Sequence, residues 1–302
     1  MKAVRFHQYG DVDQLVYEDV PDPQPQAGQV LIQVAATSVN PIDWKVLSGA
    51  MQEIFPMKLP VILGFDASGT VKQLGQGVTQ FKVGDRVLAQ ASATYAELVA
   101  VDAAAVAVAP EKLDLAEGGA LPLVTLTGVQ LVEIGVGVKK GQKILVTGAL
   151  GGVGRSAVYA AKRAGTTVVA GVRARQLADA AEVGADAVIA LEDESQVAKH
   201  APLDAIADTV GPAATAKLLP HVKPGGKVVT VVEPPPNAAQ FPQVSVSMFE
   251  VKAEGKRLSE IAQDVVAKKL RIPIALRLPL SQAREGVAAA RKGGIGKVIL
   301  LP

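Results

Sequence analysis

Lys143-Ile144-Leu145-Val146-Thr147-Gly148-Ala149-Leu150-Gly151-Gly152-Val153-Gly154 decides how the rest of the chain is read. A short apolar strand runs into a cluster of small residues and then into Gly154–Ala164, a stretch of helical character. The cluster reads as G-x-x-G-x-x-G on Gly148, Gly151 and Gly154, or as the dinucleotide fingerprint with Ala149 in the place of its first glycine. In either register small residues permit a tight turn and a missing Cβ lets a pyrophosphate approach the backbone. The last glycine lets the helix pack on the sheet. The amino end of the helix then offers free N–H groups and a favourable dipole to the anion. Glycine spacing alone is weak evidence, because tight turns use it too. The complete strand–loop–helix context, with a second strand at the expected interval, carries the assignment.

Outward from this stretch the middle of the chain keeps one rhythm. Thr167–Val172, Ala187–Ala190, Ala205–Ala207 and Lys227–Val232 are short apolar runs, and Arg175–Val183 reads as a second helix between the early ones. Strands alternating with helices imply parallel pairing, and uninterrupted apolar strands suit a sheet covered on both faces. Pro234-Pro235-Pro236 breaks the rhythm, and Val244–Val251 reads as a sixth strand. Beyond it come a helix at Ser259–Lys269, a strand at Pro273–Leu278, a helix at Ser281–Lys292 and a strand at Lys297–Leu301. The first third differs. Met1–Phe6, Leu15–Asp19, Val30–Ala36, Val61–Leu63, Gly69–Leu74 and Arg86–Ala89 are short strands separated by turn chemistry such as Gly75-Gln76-Gly77 and Val83-Gly84-Asp85. That pattern suggests an all-β, barrel-like unit. The expected fold class is α/β, with a doubly wound parallel sheet in the middle of the chain and a β-rich unit before it.

The end of the second strand of the parallel sheet reads Ala170-Gly171-Val172-Arg173-Ala174-Arg175. A site selective for NAD places Asp or Glu here, to accept from the ribose 2′-hydroxyl. No acidic residue occurs from Ala149 through Ala178. Arg173 and Arg175 stand there instead, beside a Gly171 expected to leave room, and two guanidinium groups suit a 2′-phosphate. The expected cofactor is therefore NADPH.

Composition narrows the remaining classes. The 302 residues include 31 basic and 29 acidic side chains, three His and no Cys. Thiolate nucleophiles, cysteine-ligated zinc, iron–sulfur clusters and disulfide frameworks are excluded. A net charge of +2, with four Tyr and six Phe, carries no nucleic-acid signature. A chain of this length buries roughly 75% of its unfolded surface, so its core needs no staple. The amino terminus has no apolar h-region, and the longest uncharged stretch, Pro23–Ile42, holds four glutamines. Neither a signal peptide nor a membrane span is expected, and a cytoplasmic protein is.

Several further segments carry a resemblance: Ser38-Val39-Asn40-Pro41-Ile42-Asp43, Gly64-Phe65-Asp66-Ala67-Ser68-Gly69-Thr70-Val71, Val83-Gly84-Asp85-Arg86-Val87, Tyr95-Ala96-Glu97, Leu121-Pro122-Leu123, Val183-Gly184-Ala185-Asp186 and Asp208-Thr209-Val210-Gly211. With the glycine loop, they make the chain resemble, over nearly its whole length, the zinc-free quinone oxidoreductase (zeta-crystallin-like) family of medium-chain dehydrogenases/reductases. The resemblance implies a GroES-like catalytic domain, built from 1–115 and 255–302, around a Rossmann domain at 116–254 that holds NADPH. The cofactor contacts it implies are Ala149, Gly151, Gly152, Val153, Gly154, Arg173, Arg175, Val210 and Val231. It also implies a homodimer, paired through the strand at Val244–Val251 with Val244, Val246 and Met248 on one face.

Zinc-dependent relatives hold their catalytic metal with Cys, His and Cys. The corresponding positions here are Asn40, Phe65 and Leu123, of which two cannot ligate and the third is a poor ligand for a soft metal. No metal site is expected. The resemblance then implies an acceptor that needs no Lewis acid, a quinone or an α,β-unsaturated carbonyl. Asn40, Lys45 and Thr127 are the weak candidates for the nicotinamide and acceptor pocket, and no catalytic side chain is singled out. Asn40–Asp43 equally suits turn formation, Lys45 a solvated lysine and Thr127 a helix cap. Two other functions stay open. An enoyl-thioester reductase would need a basic strip for a carrier phosphate, and Lys45 and Lys58 make a thin one. A non-catalytic NADPH-binding structural protein is the alternative outside enzymes.

Overall fold

The computed structural model describes residues 1–54, 56–294 and 296–302. Two compact units emerge, Met1–Leu123 with Ala253–Pro302, and Val124–Lys252.

The first unit is organised by the strand Gln29–Ser38. Its alternation puts Val30, Ile32 and Val34 into a core shared with Ala67, Val71, Val87, Ala89, Val99 and Val101. It pairs antiparallel with Asp66–Leu74 on one side and with Leu98–Asp102 on the other. Arg86–Gln90 and Val106–Val108 extend the sheet beyond Asp66–Leu74. Lys297–Leu301 joins this sheet and not the parallel one: Leu300 faces Thr37, Ile299 faces Ser38, and Ile274–Pro279 runs parallel beside it. A small sheet of Lys2–Phe6, Val16–Asp19 and Val61–Ile62 completes the unit.

The division after Leu123 falls eight residues later than the sequence placed it. The short helix Leu115–Gly118 packs on Gln29–Ser38 and Asp66–Leu74. A Cβ on Gly119 would stand 2.7 Å from Ala36 Cβ, so that the turn after the helix lies directly against the first sheet. These contacts bind residues 115–123 to the β-rich unit.

The second unit is a six-stranded, wholly parallel sheet. Its order is Ala187–Ala190, Thr167–Val172, Lys143–Thr147, Leu203–Asp208, Val222–Thr230, Ser245–Met248. Strand order reverses between Lys143–Thr147 and Leu203–Asp208, the switch point at which open α/β sheets bind ligands. Leu145, Val169, Ile189, Ile206 and Val228 are nearly inaccessible, as a sheet covered on both faces requires. The helix expected at Arg175–Val183 is replaced by two 3-10 segments, Ala174–Gln176 and Ala178–Val183. Ala180 is their one fully buried residue, so there is no apolar stripe whose burial could hold an α-helix. The edge strand is shorter than the sequence suggests: Ser245–Met248 pairs with Lys227–Thr230, and Val244 has left the strand for the core.

Candidate functional site

In the second unit the site is made of backbone. The helix Gly152–Arg163 begins at Gly151, whose extended backbone ends the glycine turn, and Arg155 N–H is the first to find an intrahelical carbonyl, that of Gly151 at 2.8 Å. The amides of Gly152, Val153 and Gly154 are thereby left without an intrahelical acceptor at the positive end of a 12-residue helix. Two glycines are required by contact. Gly148 takes φ +61°, and a Cβ on Gly154 would lie 2.1 Å from Gly148 O. Around Gly151, by contrast, a Cβ would meet only Gly148 O, at 3.4 Å, so that open space lies beside the free amides. This is a cradle that fits a pyrophosphate.

Ala149 has a different place. It is fully buried and its N–H donates to Gly171 O at 3.2 Å, so it ties the turn to the neighbouring strand. Gly171 does not leave room for a ligand either. Its missing Cβ is filled by the Leu191 side chain, 2.5 Å away, and by Leu145. Its smallness serves the core. Arg173 and Arg175 are exposed and have no side-chain partner among the described residues. Their loop is held from beneath: Gln176 Oε1 accepts the Arg173 N–H at 3.2 Å, and Glu192 Oε2 accepts that of Ala174 at 3.1 Å. Glu192 stands 18 positions from Ala174 in the sequence, and the parallel pairing of Thr167–Val172 with Ala187–Ala190 brings it there. Val210 is 46% exposed at the end of Leu203–Asp208, and Val231 is half-buried beside it with its N–H on Asp208 O at 3.1 Å. Thr127 is buried on the helix Pro122–Gln130.

In the first unit the site is made of side chains. Pro41 opens the helix Pro41–Leu47 and Asp43 Oδ2 accepts the Asn40 N–H at 2.7 Å. Tyr95 OH donates to the same Asp43 oxygen at 2.9 Å, while Asp43 Oδ1, also buried, has no partner among the described residues. Burial outweighs these hydrogen bonds and pushes the Asp43 carboxyl up to about 7. The Tyr95 hydroxyl is raised well above its usual value by burial and by Asp43 beside it.

Asn40, Phe65 and Leu123, far apart in sequence, are joined around Asp66. Asp66 Oδ2 accepts from Asn40 Nδ2 at 2.6 Å and from Ser38 Oγ at 2.5 Å, and Oδ1 accepts the Leu123 N–H at 2.6 Å. Lys297 donates its ammonium to Asn40 Oδ1 at 2.6 Å and to Val39 O at 2.7 Å, 3.9 Å from Asp66. Burial lowers the Lys297 ammonium, against the pull of Asp66 and Asp43. All of these polar groups are buried. The Asn40 amide, whose Nδ2 also donates to Ser38 O at 3.2 Å, is committed at both ends to its own unit and does not serve as a free donor. Zinc does not fit here. Phe65 and Leu123 offer no donor atoms, Asn40 and Asp66 are engaged, and a lysine ammonium stands where a second cation would be repelled. No group of three potential metal ligands occurs among the described residues. Lys45, half-buried on the helix Pro41–Leu47, has no side-chain partner among the described residues.

Comparison with known proteins agrees with this architecture. Residues 26–118 match the alcohol dehydrogenase GroES-like domain family and residues 183–300 the zinc-binding dehydrogenase family. The chain is 31% identical over 325 aligned residues to a chloroplast envelope quinone oxidoreductase homolog of Arabidopsis thaliana, covering 100% of this chain and 98% of that protein. It is 32% identical over 254 residues to an NADPH-dependent alkenal/one oxidoreductase of the same plant, covering 78% and 64%. The solved structure of the quinone oxidoreductase from Coxiella burnetii superposes with a TM-score of 0.89 at 29% identity, covering 100% of this chain and 99% of that one.

Proposed function

Because the chain belongs to the quinone oxidoreductase family of the medium-chain dehydrogenases/reductases, and so is an oxidoreductase, we propose that it transfers a hydride from NADPH to a quinone or an α,β-unsaturated carbonyl without a metal. One observation carries the metal-free part: Asp66 and Lys297 close the point where Asn40, Phe65 and Leu123 meet. An acceptor that needs no Lewis acid follows from that chemistry. The names of the two Arabidopsis relatives, a quinone oxidoreductase homolog and an alkenal/one oxidoreductase, support the same acceptor classes.

The nicotinamide supplies the hydride when NADPH is bound. The remaining tasks fall to the protein. The amides of Gly152, Val153 and Gly154 hold the pyrophosphate, and Arg173 and Arg175 hold the 2′-phosphate through charge-assisted bonds that leave the backbone of their loop undisturbed. Val210 and Val231 present apolar surface at the carboxyl ends of their strands. Lys45, a cation with no side-chain partner among the described residues, polarises an acceptor carbonyl.

NADPH consumption against a panel of quinones, enals and enoyl-thioesters, with and without a chelator, tests this reading. Turnover of quinones or enals that survives chelation supports it. Turnover confined to enoyl-thioesters moves the substrate to the carrier-bound class, and activity lost to chelation and restored by zinc overturns the metal-free mechanism. We also propose a homodimer through Ser245–Met248, an edge strand whose Met248 is 59% exposed. Light scattering at micromolar concentration would then give twice the chain mass, and a monomer removes the proposal.

A further inference from the structure

Asp208 does more than end a strand. It is fully buried, and its carboxylate gathers four donors. Oδ1 accepts from Thr147 Oγ1 at 2.7 Å and from the amides of Val210 at 3.3 Å and Gly211 at 3.4 Å, and Oδ2 accepts from Thr230 Oγ1 at 2.7 Å. Thr147, Asp208 and Thr230 are the last residues of three adjacent parallel strands. One carboxylate therefore joins the carboxyl ends of Lys143–Thr147, Leu203–Asp208 and Val222–Thr230, on the edge where such sheets receive ligands.

Each of the loops that leave these strands is tied to it. Thr147 Oγ1 accepts the Thr209 N–H at 2.9 Å, and Thr209 Oγ1 donates back to Thr147 O at 2.7 Å. Thr209 leans on the glycine turn, its Oγ1 2.6 Å from where a Cβ on Gly148 would stand. On the other side Thr230 Oγ1 accepts the Val232 N–H at 3.0 Å. The product of this bracing is the placement of Val210, an apolar side chain held out at the ligand edge while Asp208 beneath it is inaccessible. A buried charge is a poor device for stability alone, since well-packed apolar groups do as well or better. Preorganising loops around a ligand is what such a network does well.

We propose that Asp208 is a positioning residue for the nicotinamide half of the cofactor, acting through Val210 and the turn at Thr209–Gly211. The inference rests on the cofactor reading above. In that reading the 2′-phosphate lies at the end of Thr167–Val172 and the pyrophosphate at the end of Lys143–Thr147. The rest of the dinucleotide then runs over Leu203–Asp208 and Val222–Thr230. Asp208 acts on the part that NADPH and NADH share.

The test measures KM and kcat with NADPH and with NADH, and the dissociation constant of 2′,5′-ADP, which carries only the adenosine end. Asp208→Asn keeps size but cannot accept from Thr147 and Thr230 together, and is expected to raise KM for both dinucleotides by about tenfold, equally. Affinity for 2′,5′-ADP stays within about twofold of wild type. Thr230→Val gives a smaller rise of the same pattern, and Thr230→Ser, which restores the hydroxyl, reverses it. Should Asp208→Asn not fold, the Thr230 pair decides. Unchanged KM values in both variants overturn the proposal. So does 2′,5′-ADP binding that weakens in parallel, which marks a merely structural carboxylate. The cofactor reading is tested separately by the wild type: a protein that takes NADH but neither NADPH nor 2′,5′-ADP refutes the 2′-phosphate assignment, and the Asp208 variants are then judged on NADH with ADP as the fragment.

Discussion

The glycine turn of the second unit and the Asp66–Lys297 centre of the first use polar groups in opposite ways: the turn leaves its donors free for a ligand, and the centre consumes its own within the unit. The turn uses backbone amides, spaced within seven residues from Gly148 to Gly154, and needs its side chains to be missing. The centre uses side chains drawn from across the chain, with Lys297 and Asn40 separated by 257 positions. The turn is cheap, because its donors are helix amides that no residue has to satisfy in the folded chain. The centre is expensive, because two carboxylates and an ammonium are desolvated and each must be answered by a partner. Damage to the two regions should therefore differ in kind: stability for the centre, and ligand affinity for the turn.

The largest expected effect is at Lys297. Lys297→Met leaves Asp66 as a buried charge without its counter-ion and frees Asn40 Oδ1 and Val39 O. Loss of one partner of a buried pair costs about 3–5 kcal/mol. Urea denaturation should show it, and Lys297→Met combined with Asp66→Asn should recover part of the loss. A variant as stable as wild type would erase the contrast between the two regions.

Next comes Asp43. Its folded carboxyl, at about 7, lies above the 3.8 of an unfolded aspartate. The proton it holds stabilises the fold fully below about pH 4, and that contribution is lost as pH rises through 7. The loss is on the order of 2–4 kcal/mol. Comparison of urea midpoints at pH 5 and pH 8 should find wild type losing more stability between them than Asp43→Asn does. Parallel pH profiles would show that Asp43 is ionised throughout.

The glycine turn offers a pair of substitutions that sharpen the comparison. Gly154→Ala sets a Cβ 2.1 Å from a backbone oxygen and must displace the helix from the turn, costing about 1–3 kcal/mol together with dinucleotide affinity. Gly151→Ala meets ordinary space, at 3.4 Å and negative φ, and should leave the melting temperature nearly unchanged. Equal melting temperatures for the two would remove the packing argument for Gly154.

The smallest effect on the fold, and the most selective on function, is expected at Arg173 and Arg175. Both are exposed, so replacing both with Ala should leave stability within about 0.5 kcal/mol of wild type. KM for NADPH should rise by about tenfold to a hundredfold, with NADH little affected. A wild-type protein that uses both cofactors alike, or a double variant that loses both equally, would show that the 2′-phosphate is not bound here.

The amino-acid sequence by itself determined the parallel sheet, its glycine turn and the β-rich character of the first third. Those features rest on local order: alternation, uninterrupted apolar runs, and small residues at fixed spacing. The absence of an acidic residue at the end of Thr167–Val172 was legible in the same way. Tertiary structure alone decided the rest. Gly171 reads as room for a ligand and turns out to accommodate Leu191, because what fills a missing Cβ is set by the strand next door. Arg175–Val183 has helical composition and becomes 3-10 turns, because Ala180 is the one residue of it that is fully buried and no apolar stripe holds a helix. Asn40 reads as a donor for substrate and is held at both ends by Asp66 and Lys297. Asp208 reads as a strand end, and its four donors come from the two neighbouring strands and the turn that follows it. A residue's type states which bonds it is able to make. Which of them it does make is set by neighbours that only the folded chain brings within about 3 Å, the reach of a hydrogen bond.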